Sequence, residues 1–170
     1  MTVERAVDHT VRHLIPNCYQ DTSRDIRPTK SQIKRVERES TMGATERLAQ
    51  FITDTHYETL PEEVISAAKI GIMDGVANML AGATQPLAAI IGQYVRQLGG
   101  VPQCSVVGHD LQTNAPSAAF ANGVFLHCLD FEIQGQPPTH GTSAVLPPAL
   151  ALGEMTSAPG TRLIEAYVIG

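Results

Sequence analysis

Tryptophan is absent from this 170-residue chain, and aromatic residues make up only 5 % of it. A core here has to be filled by aliphatic and small side chains. Cysteine is scarce as well: Cys18, Cys104 and Cys128 are odd in number and show no C-x-x-C spacing. That pattern excludes a disulfide framework and a cysteine-held structural zinc, and a reducing cytoplasm is the expected compartment. Charged residues reach 17 %, below the usual quarter of a soluble domain. Basic residues are rarest of all beyond residue 41. Residues 42–170 hold Arg47, Lys69, Arg96 and Arg162 against eleven acidic side chains, for a net charge of -7. With no basic stripe, neither nucleic acid nor an anionic membrane surface is expected as a partner. A signal peptide is not expected either, because residues 1–20 include Glu4 and Asp8. The long uncharged runs 111–129 and 133–153 are interrupted by Asn, Gln, Thr, Pro and His. They do not read as membrane spans.

What is present is a globular composition, 43 % apolar with a mean hydropathy of -0.03. Residues 1–41 stand apart, with a net charge of +2 and few apolar anchors. They are read as a flexible extension. From Gly43 onward a helical period sets in, first with Leu48, Ala49, Phe51 and Ile52 on one face. Thr59 and Glu62 have capping-box spacing ahead of a helix running to about Leu80, apolar nearly all round, with Gly82 as its stop. Pro86 opens a second helix through Leu87, Ile90, Ile91, Tyr94, Val95 and Leu98, closed by Gly99 and Gly100. Cys104–Val107 is the one short extended piece. Asn114 is an expected N-cap for a helix over 117–129. A further helix is expected over about 142–154, with Pro147 and Pro148 bending it or delaying its start. Pro159 and Gly160 open a last helical stretch. No internal repeat is visible.

Chemistry concentrates between the helices over 117–129 and 142–154. His127 near the end of the first helix, Asp130 and Glu132 after it, and His140 just before the second gather around a polar loop, the kind of junction where function collects. His127 and Asp130 are spaced to share a helix face. On the residues alone, His127 reads as a core histidine bonded to a neighbour. Asp130 reads equally as a cap or a functional carboxylate, His140 as a helix cap or a base, and Glu132 as solvated. The spacing of the four matches no strong metal motif, and no metal is expected. His109 and Cys104 have no evident partner, and no phosphate-binding glycine loop is present.

Two runs carry a resemblance. GATERLAQFITDTHYETLPEEVISAAKIGIMDGVANMLAGA resembles the opening of the MmgE/PrpD family. AAFANGVFLHCLDFEIQGQPPTHGTSAVLPPALALGE is similar to that family's signature: an NG, then a D-F-D-D-T run, then H-P-S and an L-P helix. The resemblance spans about 43–170. It implies an all-α fold, the N-terminal part of the family's helical domain, with at most one short extended hairpin near 103–108. It also implies a cofactor-independent lyase or epimerase acting on small di- or tricarboxylates, such as a 2-methylcitrate dehydratase or cis-aconitate decarboxylase. By position it puts a catalytic Asp on Asp130 and an active-site His on His140. Gln134, at the signature's Thr position, is the expected substrate contact. Departures lie in the same run: Ile133 replaces the second acid of the signature, and Gly141 follows His140 where the family has Pro. Later family residues, among them a second His, lysines and a Tyr, belong beyond residue 170. The chain is therefore expected to be an incomplete domain with little activity alone. Its expected partners are a polycarboxylate substrate and either a second copy, as a dimer, or a complementing C-terminal chain. A non-catalytic helical remnant that associates with another chain is the alternative.

Overall fold

A computed structural model describes residues 42–135 and 139–170. The expected extension over 1–41 lies outside these residues. The chain forms two compact units, 1–49 and 50–170. Of the first, only 42–49 are described. Helix α1 (Ala44–Asp54) begins there and buries no residue.

In the second unit a 3₁₀ turn at Tyr57–Thr59 leads into α2 (Glu62–Gly82) and α3 (Pro86–Leu98). A two-stranded antiparallel hairpin follows, β1 (Cys104–Ser105) and β2 (Gln112–Thr113), with Cys104 opposite Thr113. Then come α4 (Ala115–His127), α5 (Gly141–Thr156) and α6 (Gly160–Ile169). Among the described residues the fold is all-α apart from this hairpin, which matches the expected extended piece.

Helix α4 is the hub, packing against α2, α3 and α5. Its sequence explains why. Ala118, Ala121, Phe125 and Leu126 are all buried, and small residues let neighbours approach on several sides. One apolar cluster joins Val95 and Ala88 of α3 to Phe125. Another joins Met79 of α2, Leu126 of α4 and Leu146 of α5. Glycines on α2 set the approach distance. A Cβ at Gly75 would stand 2.5 Å from Leu146 Cδ2, and one at Gly82 would overlap the Phe125 carbonyl. Gly82 is the last residue of α2, where the stop was expected, and it is a packing residue as well.

Two local expectations need correcting. Thr59 does not cap α2. Pro61 occupies the N-cap position, and the Thr59 hydroxyl donates to the His56 carbonyl at 2.8 Å within the 3₁₀ turn. Of the two effects expected of Pro147 and Pro148, a bend or a delayed start, the delay is absent: the helix runs from Gly141 through both. The Ser143 carbonyl, which loses its helical donor at Pro147, faces Gly123 of α4, where the absence of a side chain leaves room. The Asn114 expectation holds: its side chain accepts from Ser117 N at 3.0 Å, and the helix starts two residues earlier than expected.

Asn122 ties the hairpin to α4. Its Oδ1 accepts from Val107 N at 2.9 Å and its Nδ2 donates to Ser105 O at 3.0 Å. Among the described residues α2 is the one helix long and apolar enough to cross a bilayer. Its buried face of Ala68, Gly71, Gly75 and Met79 is occupied by protein, and Asp74 and Asn78 break its polarity pattern.

Candidate functional site

The site grows from the end of α4. His127 is the helix's last residue, and the chain turns at Cys128 and Leu129. Asp130 then adopts a left-handed backbone, φ 59°, with its N–H donating to the His127 carbonyl at 2.9 Å. A non-glycine residue in that region is uncommon, although Asp tolerates it better than most. Asp130 therefore lies past the helix and not on a shared helical face with His127. Ile133 N donates to Asp74 Oδ2 at 3.3 Å, which pins the outgoing loop to α2. His140 takes the N-cap position of α5, and its ring makes no capping bond.

These backbone paths bring the predicted residues together. His140 Nε2 lies 3.3 Å from Asp130 Oδ1 and 3.4 Å from Gln134 Nε2. The rings of His127 and His140 meet edge to face with centroids 4.8 Å apart. Asp130 is open to solvent, its side chain 71 % exposed, while that of His140 is 31 % exposed.

Glu132 overturns its expectation. Its side chain is not solvated; it is completely buried at the centre of the cluster. Oε1 accepts from His127 Nδ1 at 2.7 Å and lies 3.3 Å from His140 Nδ1. Oε2 accepts from Ser143 N, in the first turn of α5, at 2.7 Å. The carboxylate is thus the side-chain cap that His140 does not supply, and it sits where the helix dipole favours an anion. His127 is accordingly a half-exposed residue bonded to an acid, 52 % exposed, and not a core histidine. Sequence reasoning misread Glu132 as solvated because its partners lie five residues back and eleven ahead. The available signal was an acid placed between two histidines in a window without Lys or Arg.

His127, Glu132 and His140 are also the one group among the described residues that could gather a metal ion, with ligand atoms within 4.8 Å of one another. Two ligands of one zinc stand about 3.4 Å apart, given metal–ligand bonds of about 2.1 Å in a tetrahedron. The 2.7 Å separation of His127 Nδ1 and Glu132 Oε1 is that of a shared proton. No Lys or Arg forms an ion pair in the cluster among the described residues.

Away from this junction the other titratable groups have structural surroundings. Cys104 is buried, donates to the Ala151 carbonyl at 3.1 Å, and has its thiol pKa pushed up by burial and then by the nearby Glu154 carboxylate. His109 stacks on Phe125 at 5.3 Å.

The fold and junction define a helical domain that presents a histidine–carboxylate cluster between two of its helices. This chain belongs to the MmgE/PrpD family: the model of the MmgE/PrpD N-terminal domain matches residues 46–170. Among curated proteins, it is 32 % identical over 131 residues to cis-aconitate decarboxylase of Homo sapiens, covering 74 % of this chain and 27 % of that protein. It is 29 % identical over 133 residues to the Mus musculus cis-aconitate decarboxylase, 75 % of this chain and 27 % of the other. It is 25 % identical over 128 residues to the Aspergillus terreus cis-aconitate decarboxylase, covering 75 % and 26 %. The chain spans about a quarter of the length of these relatives.

Proposed function

We propose that the chain is the N-terminal part of a cofactor-independent lyase acting on a small di- or tricarboxylate. Decarboxylation of an unsaturated tricarboxylate such as cis-aconitate is the favoured reaction, given the relatives' names; dehydration and epimerisation use the same acid/base equipment. One observation carries the reading: His140 Nε2 faces both an acceptor, Asp130 Oδ1, and a donor, Gln134 Nε2. With a proton on Nε2 the ring donates to Asp130. Without it, the ring accepts from Gln134. The nitrogen is therefore supported in both states, as a general acid/base requires. In decarboxylation the bond to the departing carboxyl group breaks, carbon dioxide leaves, and the electron pair stays on the substrate carbon skeleton. His140 gives its Nε2 proton to that carbon, and Asp130 holds the imidazolium or a substrate hydroxyl. Gln134 is placed to contact substrate.

A polycarboxylate also needs cationic partners, and the cluster holds no Lys or Arg. In this reading they come from the remainder of the family chain, in a second copy or a complementing C-terminal chain, in the cytoplasm. A second reading has its own support: Ile70, Met73 and Leu80 of α2 and Ile90, Tyr94 and Leu98 of α3 are large apolar residues left exposed. Such faces suit a non-catalytic subunit that associates with another chain.

The test is turnover of cis-aconitate and 2-methylcitrate by the purified chain, alone and mixed with a polypeptide that continues the family pattern. Little or no turnover alone, activity on mixing, and loss of that activity by about 100-fold or more in His140→Asn are expected. Robust turnover by the chain alone overturns the incomplete-site reading. Undiminished activity in His140→Asn overturns the acid/base assignment, and stable pairing without turnover favours the associating subunit.

A further inference from the structure

We propose that Glu132 is the positioning residue of this site: it holds the proton of neutral His140 on Nδ1 and leaves Nε2 as the working nitrogen. The inference rests on the reading of His140 as an acid/base and deepens it.

Four observations carry it. First, Glu132 is a fully buried carboxylate, and such a group keeps its charge only where donors surround it. Second, two donors are fixed, Ser143 N on Oε2 and His127 Nδ1 on Oε1, both at 2.7 Å. Third, His140 Nδ1 is itself buried and has no aligned hydrogen bond. Its ionic neighbour is Glu132 Oε1 at 3.3 Å. A lone pair on Nδ1 would face a carboxylate oxygen, whereas an N–H there faces an acceptor. The tautomer of a histidine is set by what its other nitrogen meets, so the proton belongs on Nδ1. Fourth, the opposite nitrogen, Nε2, is the one directed at Asp130 and Gln134, on the solvent-open side of the cluster.

The charged groups around His140 are then all accounted for among the described residues. Asp130 lies at Nε2, Glu132 at Nδ1, and His127 stands edge-on to the ring. His127 does not compete for the working position; it holds Oε1 in place. When Nε2 gains a proton, Nδ1–H and Nε2–H each face a carboxylate, and the imidazolium forms without the ring turning. A carboxylate behind an imidazole in this way is a general device for fixing its orientation.

A purely capping role for Glu132 makes a different prediction, and nuclear magnetic resonance of the full chain labelled with ¹⁵N-histidine separates the two. At a pH where His140 is neutral, long-range proton–nitrogen correlations are expected to show Nδ1–H and an unprotonated Nε2. In Glu132→Gln the amide oxygen takes the Ser143 N–H, so the amide NH₂ turns toward Nδ1. The proton of His140 is then expected to move to Nε2. Asp130→Asn leaves it on Nδ1. A wild-type His140 protonated on Nε2 overturns the proposal without any variant having to fold. A folded Glu132→Gln chain still protonated on Nδ1, or a tautomer that switches with Asp130→Asn, also overturns it. The reading is made without substrate, so the two ideas fail separately. If His140 carries Nδ1–H but His140→Asn keeps turnover in the mixed enzyme, the lyase reading falls alone. If His140 is essential but carries Nε2–H, only the positioning role of Glu132 falls.

Discussion

Asn122 and His127 both lie in the second half of α4, and each anchors a polar junction. At the first, the amide of Asn122 spends its oxygen on Val107 N and its nitrogen on Ser105 O, and the hairpin is held with its buried polar groups matched. At the second, Glu132 is buried and bonded on both oxygens, yet the groups around it keep spare capacity. His140 Nδ1 lacks an aligned partner, Asp130 is in a left-handed conformation, and Nε2 has two contacts of 3.3 and 3.4 Å. One helix thus carries a satisfied network and an incompletely satisfied one. The first fixes shape. The second stores strain and unused hydrogen-bonding capacity where a substrate could use them.

Substitutions at the two junctions should therefore differ in sign as well as size. The largest loss of stability is expected from Asn122→Ala, which leaves Val107 N and Ser105 O without their partner. A cost of about 2–4 kcal/mol follows from two unmet groups, read as a lower urea midpoint, with the His140 tautomer unchanged. A cost under about 0.5 kcal/mol would erase the contrast. Asp130→Gly should move the other way. Glycine relieves the left-handed backbone but adds freedom to the unfolded chain, and the net gain is about 0–1 kcal/mol. On the proposed lyase reading, the same substitution should abolish the turnover of cis-aconitate gained on mixing with the complementing chain. A variant that is clearly destabilised would show that Asp130 is a structural residue like Asn122. The smallest effect belongs to Cys104, beside the hairpin. Its thiol pKa is raised above the ordinary value of 9.0, first by burial and then by Glu154. The folded chain therefore keeps a proton that the unfolded chain releases. This contribution is fully present below pH 9 and declines as the pH climbs above it. Denaturation midpoints measured across that range, in wild type and Cys104→Ala, should diverge in slope only on the alkaline side.

How far the sequence led depended on the range of the interaction. Helix α3 was legible because its period and Pro86 are local, and the Asn114 cap because the N–H it accepts from, that of Ser117, is three residues away. Capping at Thr59 was misread because Pro61 supplies an extended N-cap backbone and the hydroxyl finds a carbonyl in the preceding turn. Gly82 was legible as the end of α2, but its packing role shows only in the approach of Phe125. At the site, Asp130, Gln134 and His140 were named by resemblance to the family signature, and the fold brings all three to one nitrogen. Glu132 was read as solvated because burial of an acid in a loop is decided by α5, whose first turn reaches it from the far side of the loop. Nothing within a few residues of Glu132 announces that contact.

The bond from Ser143 N to Glu132 makes helix α5 and the histidine–carboxylate cluster a single thermodynamic unit. Fraying of the first turn of α5 releases the carboxylate, and release of the carboxylate frees that turn. Whatever organises His140 must by the same token slow hydrogen exchange at the Ser143 amide. Mutational drift meets the same linkage: at position 132 a side chain with no acceptor for Ser143 N cannot be tried without also loosening a helix.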